Sequence, residues 1–91
     1  MTTEIDYLEE SLVQVSTDLN NEIVLFNDDV NTFDHVIDTL ILVCDHTLEQ
    51  AEQCAILVHY KGKCTVKTGS LKELTRQCSL LLEAGLSAEI V

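Results

Sequence analysis

Between positions 27 and 34 the chain gathers five carboxylate or amide side chains, Asn27, Asp28, Asp29, Asn31 and Asp34, with no Lys or Arg among them. Carboxylate and amide oxygens collected without a cation suit a positive ligand, either a metal ion or an ammonium group. The same residue types also bond their own backbone in an Asx-rich turn, and the segment alone fits either use. A calcium loop is testable by position. Asn27, Asp29 and Asn31 occupy the first, third and fifth places of an EF-hand loop, but Thr32 stands where a glycine must turn the chain. Asp38 stands where a bidentate glutamate must close the loop, so no metal and no cofactor are expected.

His59 is the second candidate. It follows Val58 and precedes Tyr60-Lys61-Gly62. A histidine in the last turn of a helix complements the helix dipole or sits on the surface. Paired with Asp28 or Asp29 it would supply an acid and a base. No Gly-x-Ser-x-Gly elbow, glycine-rich phosphate loop or His-Glu-x-x-His accompanies it, so an enzyme is not expected. His35 and His46 read as solvent-facing. Cysteines stand at 44, 54, 64 and 78 without any Cys-x-x-Cys, and they are expected to be buried thiols rather than zinc ligands or disulfides.

The elements that must position these groups follow from periodicity. Ile23-Val24-Leu25-Phe26 is an apolar run bounded by polar residues, the mark of a buried strand. Phe33, Val36, Ile37, Leu40 and Ile41 then recur at helical spacing to about Cys44, with Thr32 as N-cap. Thr47-Leu48-Glu49-Gln50 is a capping box opening a second helix, with Leu48, Ala51, Ala55 and Val58 on one face and Gly62 at its end. Residues 63–67 alternate as a half-exposed strand, and Gly69 turns the chain. Ser70-Leu71-Lys72-Glu73 caps a third helix carrying Leu71, Leu74, Cys78, Leu81 and Leu82, and Gly85 closes it. Residues 86–91 alternate again as a last strand. The predicted class is α+β, a compact two-layer β-α-α-β-α-β domain with a three-stranded antiparallel sheet against three helices.

The chain has 91 residues, 46% apolar and 4% aromatic, enough for one aliphatic core. Residues 21–91 are assigned to that core. Residues 1–20, acidic with a weak apolar pattern, are expected to be a flexible extension. The formal net charge is −11, and every Lys and Arg lies at position 61 or later. That distribution disfavours nucleic acid and anionic membranes, which need clustered cations. No apolar run approaches a membrane span and the first residues lack the pattern of a secretory signal, so a cytoplasmic location is expected.

Leu25-Phe26-Asn27-Asp28-Asp29, an apolar helix, and then Leu57-Val58-His59 before Lys61-Gly62-Lys63 together resemble the ClpS family over about residues 21–91. These are small adaptors of the ATP-dependent Clp protease. The resemblance implies an adaptor that binds the free, bulky hydrophobic first residue of N-degron substrates and hands them to a Clp-type AAA+ unfoldase, through that partner's N-terminal domain. By the same resemblance Asn27, Asp28 and His59 surround the substrate α-amino group, with Asp29 and Asn31 supporting the loop. Phe33, Val36, Ala55, Val58 and Leu86 line the side-chain pocket.

This chain departs from the family pattern at three places. Phe33 and Ala55 stand where the family often has methionines that exclude β-branched residues, and Asn31-Thr32 replaces a usual Thr-Pro. The first two imply a shifted preference, with large aromatics, Ile and Val better tolerated. An alternative is a divergent adaptor that docks on the unfoldase without binding N-degrons because Phe33 plugs the pocket.

Overall fold

The computed structural model describes residues 21–91; the expected extension at 1–20 lies outside the described residues. The elements are β1 (Asn21–Phe26), α1 (Phe33–Cys44), α2 (Leu48–Lys61), β2 (Lys63–Gly69), α3 (Leu71–Glu83) and β3 (Ser87–Ile90). This is the β-α-α-β-α-β order that the periodicity predicts. All strand pairings are antiparallel and β1 is central, in the order β2-β1-β3. Ile23, Val24 and Leu25 of this central strand are all buried.

The three helices end where local chemistry ends them. Thr32 accepts from the His35 N–H, and Ser70 accepts from the Glu73 N–H. Thr47 forms a reciprocal capping box with Gln50, which satisfies two otherwise orphaned N–H groups. α1 stops at Asp45, which adopts a left-handed conformation at φ 57°, one of the few non-glycine residue types that tolerate it.

The core lies between the sheet and the helices. Ile23, Leu25, Leu40, Ala51, Leu74 and Leu81 are essentially inaccessible, and Cys44, Cys54, Val58, Val66, Cys78, Leu86 and Ala88 complete the cluster. Two expected stripes are narrower than the spacing predicts. Leu48 is exposed, leaving Ala51, Cys54, Ala55 and Val58 as the inward row of α2; Leu71 and Leu82 are likewise exposed, so α3 buries only its Leu74-Cys78-Leu81 row. A helix at an edge of a small domain has one neighbour layer, which covers only a narrow stripe.

The β1–β2 ladder skips a residue: Ile23 faces Lys67 and Val24 faces Thr65. The extra residue, Val66, bends the strand as a bulge does. Its carbonyl accepts from His46 Nε2 at 2.6 Å. His46 is therefore half-buried against β2 rather than solvent-facing, because the bulge leaves a carbonyl that needs a donor. Leu81→Ala should lower unfolding free energy in urea by about 2–5 kcal/mol, whereas Leu42→Ala on the open face of α1 should stay within about 0.5 kcal/mol.

Candidate functional site

β1 delivers the chain into residues 27–32, and this loop is fastened at both ends. The Asn27 N–H donates to the Gly62 carbonyl at the end of α2 (3.0 Å). Asn31 Nδ2 donates to the Gly85 carbonyl between α3 and β3 (2.9 Å). Gly62 and Gly85 have φ of 93° and 91°, conformations in which a side chain is strained. His35, exposed as expected, also reaches the Ala84 carbonyl through Nε2 (2.8 Å) and so ties α1 to the same turn.

Within the loop Asp28 is the hub. Its Oδ1 accepts from the N–H groups of Val30 (2.9 Å) and Asn31 (3.0 Å) and from Asn31 Nδ2 (3.1 Å). Its Oδ2 accepts from Asn31 Nδ2 at 2.9 Å and retains acceptor capacity. These donors, above all the Asn31 backbone N–H, hold the Asp28 carboxyl below the usual carboxylate range. Asp28 thus stays anionic, and the self-bonded turn and the cation-seeking carboxylate are the same structure.

The loop forms one wall of a cavity of about 340 Å³. Asn27, Asp28, Asp29 and Asn31 supply its polar side; Val36 and Phe33 from α1, and Ala55, Val58 and His59 from α2, supply the rest. Every expected site residue except Leu86 lines this space. Leu86 is buried behind it, in a small adjoining hollow shared with Asn27, Asp28, Asn31, Val36 and Val58. Asp29 and Asn31, expected as loop supports, also face the cavity.

Phe33 begins α1 with 45% of its surface exposed, as a cavity wall rather than a core residue. Its ring lies 5.4 Å from that of His59, tilted by 54°, and Tyr60 meets His59 edge-on at 4.8 Å. The three rings form an aromatic rim beside the acidic loop. His59 is in the last turn of α2, where the carbonyl end of the helix favours positive charge. Tyr60, Gly62 and Gly85 are functional neighbours that sequence reading passes over. Positive-φ glycines directly after two apolar stripes were the available signal for the last two.

This arrangement can hold an ammonium against carboxylate and amide oxygens while an apolar group enters beside it. Among the described residues there is no cluster of His, Cys, Asp or Glu able to hold a metal ion. Also among them, no helix is long and apolar enough to cross a membrane.

Asn31→Ala should release the loop from Gly85 and remove one donor from Asp28. The Asp28 carboxyl pKa, followed by NMR, should then rise part-way toward its ordinary value, since the backbone donors remain. The sign follows from linkage: a carboxyl held low in the folded state stabilises the fold above its unfolded pKa of about 3.9, and that contribution is lost as pH falls through the folded value. Acid titration should therefore loosen the loop as pH falls below about 4 in both chains, with the transition of Asn31→Ala lying closer to pH 4 than that of the native chain.

Comparison with known proteins agrees with the geometry. The family model for the ATP-dependent Clp protease adaptor protein ClpS matches residues 16–89. The ATP-dependent Clp protease adapter protein ClpS of Thermosynechococcus vestitus is 33% identical over 69 residues, covering 75% of this chain and 73% of the relative. Agrobacterium tumefaciens ClpS2 bound to L-phenylalaninamide superposes with a TM-score of 0.66 at 19% identity, over 78% of this chain and 93% of that one. The architecture is thus the ClpS fold, and the chain belongs to the ClpS family of adaptors of the ATP-dependent Clp protease.

Proposed function

We propose that this adaptor captures proteins by a free, bulky hydrophobic first residue and delivers them to a Clp-type AAA+ unfoldase, docking on that partner's N-terminal domain. The observation that carries the reading is the single cavity in which Asn27, Asp28 and His59 adjoin Phe33, Val36, Ala55 and Val58. A related fold was solved with L-phenylalaninamide, an aromatic side chain beside a free amine.

The chemistry fits an N-terminus. Each charge-assisted hydrogen bond from the α-ammonium contributes about 1.5–3 kcal/mol when shielded from water. Burying a Leu or Phe side chain adds about 1.5–3 kcal/mol. Less the cost of ordering the peptide, this suits roughly micromolar affinity, near −8 kcal/mol, which permits hand-over. Acetylation removes the charge and two donors, leaving Asp28 without a cation. The acidic surface raises the local concentration of cationic ends and favours encounter. The open volume beside Phe33 favours ligand entry over a plugged pocket.

Fluorescence anisotropy with peptides beginning Phe or Leu tests this reading. Free peptides should bind at micromolar concentration or tighter, and their acetylated forms at least tenfold more weakly. Asp28→Ala and His59→Ala should each weaken binding by about tenfold, or about 1.4 kcal/mol. Unchanged affinity in both variants overturns the proposal.

The side-chain preference is a separate prediction. Ala55 is a small, almost fully buried residue in the cavity wall. Room beside it admits Trp and the branched Cβ of Ile and Val. Peptides beginning with these three should bind within about tenfold of Phe; sharp rejection of Ile and Val refutes it.

A further inference from the structure

The cysteines are not four independent buried thiols. Cys64 on β2 is only half-buried, and its Sγ lies 3.3 Å from the Sγ of Cys54 on α2. The Cys64 thiol points either at that sulfur or at the Thr65 carbonyl, 3.4 Å away. Cys54 is 9% exposed, so Cys64 is the member of the pair that meets solvent.

From this contact we propose that Cys54 and Cys64 are a modification site, closing an intramolecular disulfide between α2 and β2 when the chain meets a peroxide. A disulfide has its sulfurs about 2.05 Å apart, so closure asks the two sulfurs to converge by about 1.3 Å. The other two cysteines are enclosed in the core, Cys44 at 1% and Cys78 at 7% exposure.

The chemistry balances in two steps. The Cys64 sulfur attacks one peroxide oxygen; the O–O bond breaks, an S–O bond forms, and water leaves with the thiol proton. Cys54 sulfur then attacks the resulting sulfenic sulfur; the S–S bond forms, the S–O bond breaks, and the hydroxyl departs as a second water carrying the Cys54 proton. The dithiol loses two electrons and the peroxide gains them. Burial, followed by the Cys64 contact, pushes the Cys54 thiol up to about 12, which keeps it protonated at rest, so its proton must leave with the departing hydroxyl.

The bridge would staple the middle of α2 to the sheet, one residue before Ala55 and one turn before Val58. It would thereby fix the helix that forms one side of the cavity. This inference rests on the sulfur contact alone and stands or falls independently of peptide recognition.

The test uses the full chain, purified reduced and treated with hydrogen peroxide at neutral pH. Digestion with trypsin after blocking of free thiols, together with single-cysteine variants, resolves the pairing. Cleavage after Lys63 and Lys67 isolates Cys64 in a short peptide, Cys44 and Cys54 remain together upstream of Lys61, and Cys78 falls after Arg76. The expected result is a monomer lighter by two hydrogen atoms, with the peptide 64–67 joined to the N-terminal peptide. The link should persist in Cys44→Ser and Cys78→Ser and vanish in Cys64→Ser and Cys54→Ser. Cys64→Ser, at a half-exposed site, serves if Cys54→Ser fails to fold. A link that survives Cys54→Ser, disulfides only between chains, or Cys64 oxidised without any partner would each overturn the proposal.

Discussion

One amide group holds the site in place. Asn31 Nδ2 has two hydrogens; one goes to the Asp28 carboxylate and the other to the Gly85 carbonyl. Through that group a polar loop, costly to order by itself, is fixed against the turn between α3 and β3. The Asn27 N–H does the same at the other end, against the Gly62 carbonyl. Both acceptors lie in turns that need a left-handed residue, so the two glycines serve the site without touching a ligand. An anionic carboxylate survives in the loop because backbone donors, not a lysine or arginine, hold it. A cationic neighbour would have done the same work and then competed with a cationic ligand.

The sequence makes the element order readable because each helix announces its own start. Thr32, Thr47 and Ser70 are all N-caps in the structure, and residues 23–26 are too short and too apolar to be anything but a buried strand. Segment 27–32 was readable as an acceptor-rich turn, but not as a turn that is both self-bonded and open to a ligand. That distinction depends on where Gly85, more than fifty residues away, presents its carbonyl. The same limit explains His35 and His46. Each is hydrogen-bonded to a carbonyl on another element, Ala84 and Val66, and no local spacing carries that information. The bulge at Val66 is equally silent, because a one-residue slip in register leaves the alternation of β2 looking regular.

The cysteines show a further limit. Cys54 faces the core, as expected of a buried thiol. Yet apolar periodicity treats each cysteine as a small hydrophobe, and it has no means of reporting that a helix and a strand bring two of them together. Leu48 drops from the inward row of α2 because no neighbouring layer covers it.

Phe33 brings packing and recognition together. At the first position of α1 it could either fall into the core with Val36, Ile37 and Leu40 or stand over the cavity. The structure takes the second course, because His59 offers a ring face at 5.4 Å that compensates part of the exposed area. The same contact leaves the cavity floor to Val36, Ala55 and Val58, side chains too small to fill it. An aromatic wall beside small aliphatic residues makes a space that is wide rather than narrow, and a wide space discriminates by buried area more than by branching. On the proposed reading, selectivity against the wrong ligand resides in the polar rim, where an uncharged nitrogen would leave the Asp28 carboxylate without a counter-ion. That cost depends on charge, whereas a methyl group more or less in a hydrophobic hole changes affinity only modestly.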